Sequence, residues 1–424
     1  MLSFGLLSLA PLAFAAVLSR EEAISYDGYK VYHVNTHGDS DAILSALSAL
    51  PYDQWNDRLQ DHIDISVARE NVPAFEALAL NYTVMHEDLG ADIAAEAQSV
   101  PYESVTRRQS GPSNTYFNSY HPYSEHITFW RDLSASFPAN SERFVAGRSY
   151  ENREMFGYKL FGRDTGSTKE AIIWHSTVHA REWITTMTVE YLAYEMVRGY
   201  KANDATFRIW LDTYDFYILP FANPDGFVFS QTTNRMWRKQ RSPDRGLLGQ
   251  LCIGTDVNRN WPYQWTGDPN GASTNPCAET FKGRAAGDTP ENKALVNHTM
   301  TVASKQPIAQ YIDFHSYGQY LLTPYGYTPS QPANGPAQVS LAEKAAAAIK
   351  AVYGTEFTTG PSGSTLYPTT GSSCDYVTDV AKGEYAYVFE LRDKGMNGFV
   401  LPPAQILPTG QEILAGVKVL IAGI

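Results

Sequence analysis

The 424-residue sequence predicts an α/β fold: a mainly parallel, mixed β-sheet flanked by helices, preceded by a small ferredoxin-like α+β unit. Three observations predict it. From about Gln109 onward, apolar strand-like runs alternate with helical patterns, as in sheets built from βαβ units. Residues from about 25 to 100 read instead as β-α-β-β-α-β in a much shorter span. Charge divides the chain at the same place. Ala16 to Arg108 carries 16 acidic and 6 basic residues, a net of −10, whereas the rest carries 29 and 27, a net of −2.

The first element is MLSFGLLSLAPLAFAAVLS, whose apolar run ends in Ala13-Phe14-Ala15. A small-x-small ending points to a signal peptide over 1–15 and to a secreted, extracellular protein. A membrane span is the competing reading, but the run is short for a bilayer and Pro11 interrupts it. The sequons at Asn81 and Asn297 suit secretion and are candidate glycosylation sites. Three cysteines in an oxidising compartment predict one disulfide and one free thiol. A net charge of −12 argues against nucleic-acid or anionic-membrane partners.

Within the small unit, Tyr29–Asn35 reads as a strand and Asp41–Leu50 as a helix with Ile43, Leu44, Leu47 and Leu50 on one side. A short strand near Trp55 precedes His62–Val67. There Ile63, Ile65 and Val67 face one way and His62, Asp64 and Ser66 the other. Pro73–Leu80 suits a short helix with proline in its first turn, and Tyr82–Glu87 a last strand. Val100–Ser113 then breaks the pattern with Arg107-Arg108. A solvated linker is one reading. Behind a signal peptide and an acidic unit, a protease site closing a pro-segment over 16–108 is the other, leaving 109–424 as the main domain.

In the main domain the strand-like runs are Ala171–Trp174, Asp215–Leu219, Ile308–Phe314 and Tyr385–Phe389. Trp183–Arg198 is helical and apolar on most faces, with Gly199 as the expected stop. Three of the runs end on polar groups: the first on His175 to Glu182, the third on His315-Ser316-Tyr317, the last on Glu390-Leu391-Arg392. Open α/β sheets bind ligands at the carboxyl ends of their strands, so these segments can meet in one crevice. His179 and Glu182, three residues apart, can face one ion, and His315 completes a His₂Glu set, a catalytic zinc composition. Such an ion lowers the pKa of a water to about 7. Glu390 beside it can take the proton and pass it to a leaving amine; its alternative is an ion pair with Arg392 or another arginine. The arginines of NRMWRKQR and DVNRNW form a solvated basic face or grip a substrate carboxylate bidentately.

HSTVHAREW, NRMWRK, DVNRNW, IDFHSYGQ, LYPTTGSSCDY and FELRDKGMNGF resemble the metallocarboxypeptidases of the pancreatic A/B type, in order from about Tyr116 to the C-terminus. The acidic N-terminal unit is similar to that family's inhibitory pro-domain. The resemblance implies one zinc per chain, held by His179, Glu182 and His315. It implies Glu390 as general base and acid, and Arg238 as the group polarising the scissile carbonyl. Asn258, Arg259 and Tyr367 would hold the C-terminal carboxylate of a peptide or protein substrate, and Arg181 and Tyr317 would line neighbouring subsites. Cys252 and Cys277 match the family's disulfide, a loop for which about 3 kcal/mol is reasonable. The resemblance also implies a monomer inhibited by its own pro-segment and activated by a protease cutting near Arg108. Leu366, Cys374 and Val388 match side-chain pocket positions. Family members preferring basic residues carry an acidic group where Cys374 stands, so an aromatic or bulky aliphatic C-terminal residue is expected; a one-residue shift placing Asp375 there would reverse this. The rival functions are an inactive zinc-bearing binding or adhesion relative and an amidase acting on N-acyl amino acids.

Overall fold

A computed structural model describes residues 22–56, 61–104, 111–164, 166, 168–243, 251–268 and 270–424. The signal-like stretch 1–15 and Arg108 lie outside these described residues. Strands β1 (Lys30–Asn35), β2 (Asp53–Gln54), β3 (His62–Val67) and β4 (Tyr82–His86) form an antiparallel sheet ordered β2-β3-β1-β4. Helices Ser40–Leu47 and Val72–Glu76 make the crossovers, giving the expected β-α-β-β-α-β order; a further helix, Leu89–Glu96, follows. Asp39 caps the first helix by accepting the Ala42 amide at 3.0 Å. Tyr32, Val34, Ile63, Ile65 and Val67 pack with Leu47 and Phe75 on one face of the sheet. The polar face of β3 is not open to water: Asp64 and Ser66 are buried because the larger unit covers them.

The main sheet has eight strands: β5 (Ser141–Arg148), β6 (Glu154–Leu160), β7 (Glu170–Ser176), β8 (Tyr214–Leu219), β9 (Ile308–His315), β10 (Tyr320–Thr323), β11 (Thr358–Pro361) and β12 (Tyr385–Glu390). Their order is β11-β10-β12-β9-β7-β8-β6-β5, with β12, β9, β7 and β8 mutually parallel at the centre. Pairings β10–β12, β6–β8 and β5–β6 are antiparallel. Central parallel strands are covered on both faces and read as continuous apolar runs. Ile172 and Trp174 of β7 point into the cluster shared with helices Trp183–Lys201, Gly335–Tyr353 and Ile406–Ala422. Ala171 and Ile173 point the other way, toward Val302 and Val377 of helices Pro290–Ala303 and Ser373–Asp379.

The helix from Trp183 continues through Gly199 to Lys201 rather than stopping there. Gly199 is required for packing instead: a Cβ at that position would overlap the Phe207 ring. Cys252 and Cys277 are paired, and Cys374 is a buried free thiol. Both sequon asparagines are exposed. Among the described residues no helix is long and apolar enough to cross a membrane.

Candidate active site

Because β7, β9 and β12 run parallel and adjacent, their carboxyl ends share one edge of the sheet. The register sets Glu390 beside His315, and β7 leads into the turn that carries His179 and Glu182, the latter at the start of helix Trp183–Lys201. The ligand atoms of His179, Glu182 and His315 all lie within 4.8 Å of one another, and all three residues are buried. His179 Nδ1 is 2.8 Å from Glu182 Oε1, His315 Nδ1 is 3.3 Å from Glu182 Oε2, and the two Nδ1 atoms are 3.1 Å apart. Two imidazole nitrogens converging with a carboxylate form the donor set of a tetrahedral zinc site with a position left open.

Each histidine is oriented from behind. His179 Nε2 lies 3.1 Å from Asp256 Oδ1, and His315 Nε2 lies 3.2 Å from Asp313 Oδ2. A proton held on Nε2 by these carboxylates leaves the Nδ1 lone pairs free for a metal. Burial works against ionising Asp256, but the charges of Arg238 and His179 outweigh it and hold this carboxyl well below its usual range. Burial likewise opposes ionisation of Asp313 and Glu182, and the histidines beside each outweigh it. Sequence reasoning missed both aspartates. Their signals were present: Asp313 sits two residues before His315 on the same strand face, and Asp256 opens DVNRNW.

Glu390 behaves differently. Burial pushes its carboxyl up to about 8; His315 opposes the shift, Glu182 adds to it and Arg238 opposes it. Its alternative partner is engaged elsewhere, since Arg392 donates from Nε to Glu412 Oε1 at 2.7 Å and from Nη2 to Thr355 Oγ1 at 2.8 Å. Arg238 donates to Asp256 Oδ2 from Nη2 at 2.9 Å and Nε at 3.2 Å, and its Nη1 lies 3.9 Å from Glu182 Oε1. Asn258 accepts the Ser373 amide at 2.9 Å, and the Arg259 guanidinium lies 5.9 Å from the Tyr367 ring centre.

Arg238, Asn258, Arg259, Tyr367 and Glu390 line one cavity of ≈ 360 Å³ together with the three ligands. Leu366, Cys374 and Val388 line it too, as does Tyr317. Arg181 is placed outside this lining: its guanidinium stacks on Phe399 at 4.1 Å and approaches Glu279 at 3.6 Å.

The match to known proteins decides the family. Residues 126–416 match the model described as zinc carboxypeptidase. The chain belongs to the zinc carboxypeptidase family. It is 42% identical over 405 residues to a metallocarboxypeptidase A-like protein of Trichophyton verrucosum (strain HKI 0517), covering 94% of this chain and 93% of that one. It is 34% identical to zinc carboxypeptidase A 1 of Anopheles gambiae, covering 96% and 92%. Among solved structures, thrombin activatable fibrinolysis inhibitor superposes with a TM-score of 0.84 at 26% identity, covering 94% of this chain and 98% of that one. The carboxypeptidase A of Helicoverpa armigera superposes with a TM-score of 0.77 at 26% identity, over the same shares. This zinc carboxypeptidase is therefore a zinc-dependent hydrolase of peptide C-termini, and the His179, Glu182 and His315 set fits its metal.

Two other buried histidines of the carboxypeptidase, His175 and His126, are held by hydrogen bonds within the fold. His175 Nδ1 lies 3.1 Å from the Tyr311 hydroxyl, with burial pulling its pKa down to about 4. His126 Nδ1 lies 2.9 Å from both the Tyr116 hydroxyl and Glu190 Oε2. Because Asp313 orients His315, Asp313→Ala should weaken zinc binding by about 10–100-fold. Competition against a chromogenic chelator measures this; unchanged affinity would remove Asp313 from the metal centre.

The small N-terminal unit lies over the same cavity, which His33, Trp55 and His62 also line. Tyr317 donates its hydroxyl to Asp64 Oδ2 at 2.6 Å, Tyr26 donates to Asn234 Oδ1 at 2.6 Å, and Trp55 packs on Phe399 with ring centres 5.4 Å apart. Glu96 and Arg235, both buried, form a two-point ion pair at 2.6 and 2.9 Å.

Proposed function

We propose that this carboxypeptidase removes aromatic or bulky aliphatic C-terminal residues, and that it is made as a secreted precursor kept inactive by residues 16–108. The observation that carries the specificity is the neutral lining at Cys374. Its thiol is buried in an apolar cluster with Ile173, Tyr311 and Val377, and burial pushes its pKa well above the usual thiol value. The neighbouring Asp375 also lines the cavity, but its carboxyl is already committed to backbone amides. The Gly326 amide donates to its Oδ1 at 2.9 Å and the Tyr327 amide to its Oδ2 at 3.2 Å, and burial raises its pKa to about 6. A Lys or Arg side chain entering here would lose its hydration and meet only a carboxyl already bonded to two backbone amides, whereas an apolar side chain gains about 25 cal/mol per Å² of buried surface.

The reaction follows from the groups that converge on the cavity. Arg259, with Asn258 and Tyr367, binds the terminal carboxylate of the peptide and so fixes which bond is cut. Zinc, when bound, supplies Lewis acidity that polarises a carbonyl and makes a water acidic near neutral pH. Glu390 accepts the proton of the attacking water and delivers it to the leaving amine, a task suited to a carboxyl whose pKa lies near the working pH. Arg238 stabilises the oxyanion that develops on the scissile carbonyl. Asp256 and Asp313 keep the two imidazoles oriented throughout.

Secretion is supported by the N-terminal apolar run, the disulfide and the exposed sequons Asn81 and Asn297 as glycan acceptors. Cleavage at Arg108, by a protease that reads basic residues, would free the main domain as a monomer. The specificity test is turnover of two peptides differing in a C-terminal Phe or Lys. Phe should be favoured in kcat/KM by at least about a hundredfold, the equivalent of about 2.7 kcal/mol. Faster turnover of the Lys peptide would overturn the assignment.

A further inference from the structure

We propose that His33, His62 and Asp64 form a second metal site, on the N-terminal unit, for a divalent cation of the zinc type. Among the described residues this is the other group of histidine and acidic side chains whose ligand atoms lie within 4.8 Å of one another. Its geometry comes from the sheet. His33 of β1 is directly opposite Asp64 of β3, and His62 precedes Asp64 by two residues, so all three side chains share one face. His33 Nδ1 is 2.6 Å from Asp64 Oδ1, His62 Nε2 is 3.6 Å from Asp64 Oδ2, and the two imidazole rings stack with centres 4.2 Å apart. Ligands held about 2.0–2.2 Å from one zinc ion fall within such a spread, and two imidazoles with a carboxylate select zinc-class cations over calcium or magnesium.

The surroundings favour a built site over a chance cluster. Asp64 is fully buried, and the Tyr317 hydroxyl donates to its Oδ2 at 2.6 Å, which fixes the carboxylate plane. The Asn56 side chain accepts the Asp64 amide at 2.8 Å and donates to the His62 carbonyl at 3.1 Å, fixing the start of β3. The imidazoles are 29% and 26% exposed and line the main cavity, so an ion has an entry path. Gly395, at φ 92°, comes close from the main domain, and even a Cβ there would be 3.3 Å from His33 Nδ1 and 3.4 Å from Asp64 Oδ2. A cation held here would bind beside the contact by which Tyr317 meets the N-terminal unit. The site stands on these three residues alone and does not require that unit to be inhibitory.

The test is zinc stoichiometry of the intact, uncleaved chain, dialysed against buffered free zinc and read by elemental analysis. Two equivalents per chain are expected. Chains carrying His33→Ala with His62→Ala should retain one, and so should His62→Asn alone, a milder change at a partly exposed position. A chain with His179→Ala and His315→Ala should also retain one, which separates this site from the crevice site. With cobalt, the second equivalent should add a visible absorption band that the His62→Asn chain lacks. A single equivalent in the wild type, or a second that survives both His33/His62 variants, would overturn the proposal.

Discussion

Glu390→Gln lowers kcat by about a thousandfold or more while leaving the zinc content of the carboxypeptidase at one equivalent in the crevice. Glutamine keeps the shape of the side chain but can neither take a proton from the attacking water nor give one to the leaving amine. Proton transfer by a positioned side chain contributes about 10²–10⁴-fold. Glu390 is beside His315 in the sheet but outside the ligand set, so the metal is not disturbed. The same group fixes the sign of the pH dependence. Burial raises its carboxyl from 4.5 to about 8, and a dication bound beside it would draw that value down. The active form is the carboxylate, so kcat/KM falls as pH drops through that pKa, giving an acid limb. The limb should be missing from the residual activity of Glu390→Gln. Steady-state kinetics with metal analysis checks both; a Gln variant with wild-type kcat would remove Glu390 from the proton path.

Cutting the intact chain at Arg108 should raise activity by about a hundredfold if residues 16–108 close the crevice as proposed. A covering unit on the same chain acts at an effective concentration of about millimolar, so even micromolar intrinsic affinity for the crevice closes it almost completely. The contacts most costly to lose are the buried ones. Glu96 with Arg235 is the clearest: removing one partner strands a buried charge, a penalty of about 3–5 kcal/mol. The unprocessed Glu96→Ala chain should therefore show raised basal activity, whereas a chain carrying both Arg107→Ala and Arg108→Ala should stay inactive when challenged with a trypsin-like protease. Hydrolysis of a C-terminal Phe peptide before and after cleavage reads all three chains. Full activity in the intact chain carrying Arg107→Ala and Arg108→Ala would contradict inhibition by the N-terminal unit.

What was legible in the sequence follows from which interactions are local. β7, β9 and β12 are covered on both faces, so they stand out as apolar runs, and their polar ends marked the crevice. The edge strand β5 is half exposed and its pattern irregular, so it carried no comparable signal. Gly199 looked like a stop because glycine often ends helices, but its cause is the Phe207 ring, a contact with the next helix that one segment cannot reveal. His179, Glu182 and His315 were readable because metal ligands must be particular residue types at particular spacings. The signals for Asp256 and Asp313 are weaker, because an acid that only orients a histidine obeys no strict spacing rule of its own, and nearness to a ligand or a motif is all that marks it. Burial of the polar face of β3 depends on a second unit folding over it, which alternation within a single strand does not encode.

The most direct test removes the crevice metal. Protein cut at Arg108 and freed of the N-terminal fragment, so that the crevice ligands are the candidate zinc site left, is stripped with a strong chelator, dialysed and titrated with zinc while bound metal and peptide hydrolysis are followed together. Hydrolysis should fall to background in the stripped protein and return in proportion to zinc, saturating at one equivalent per chain. Undiminished release of C-terminal residues by protein containing no measurable metal would contradict the account.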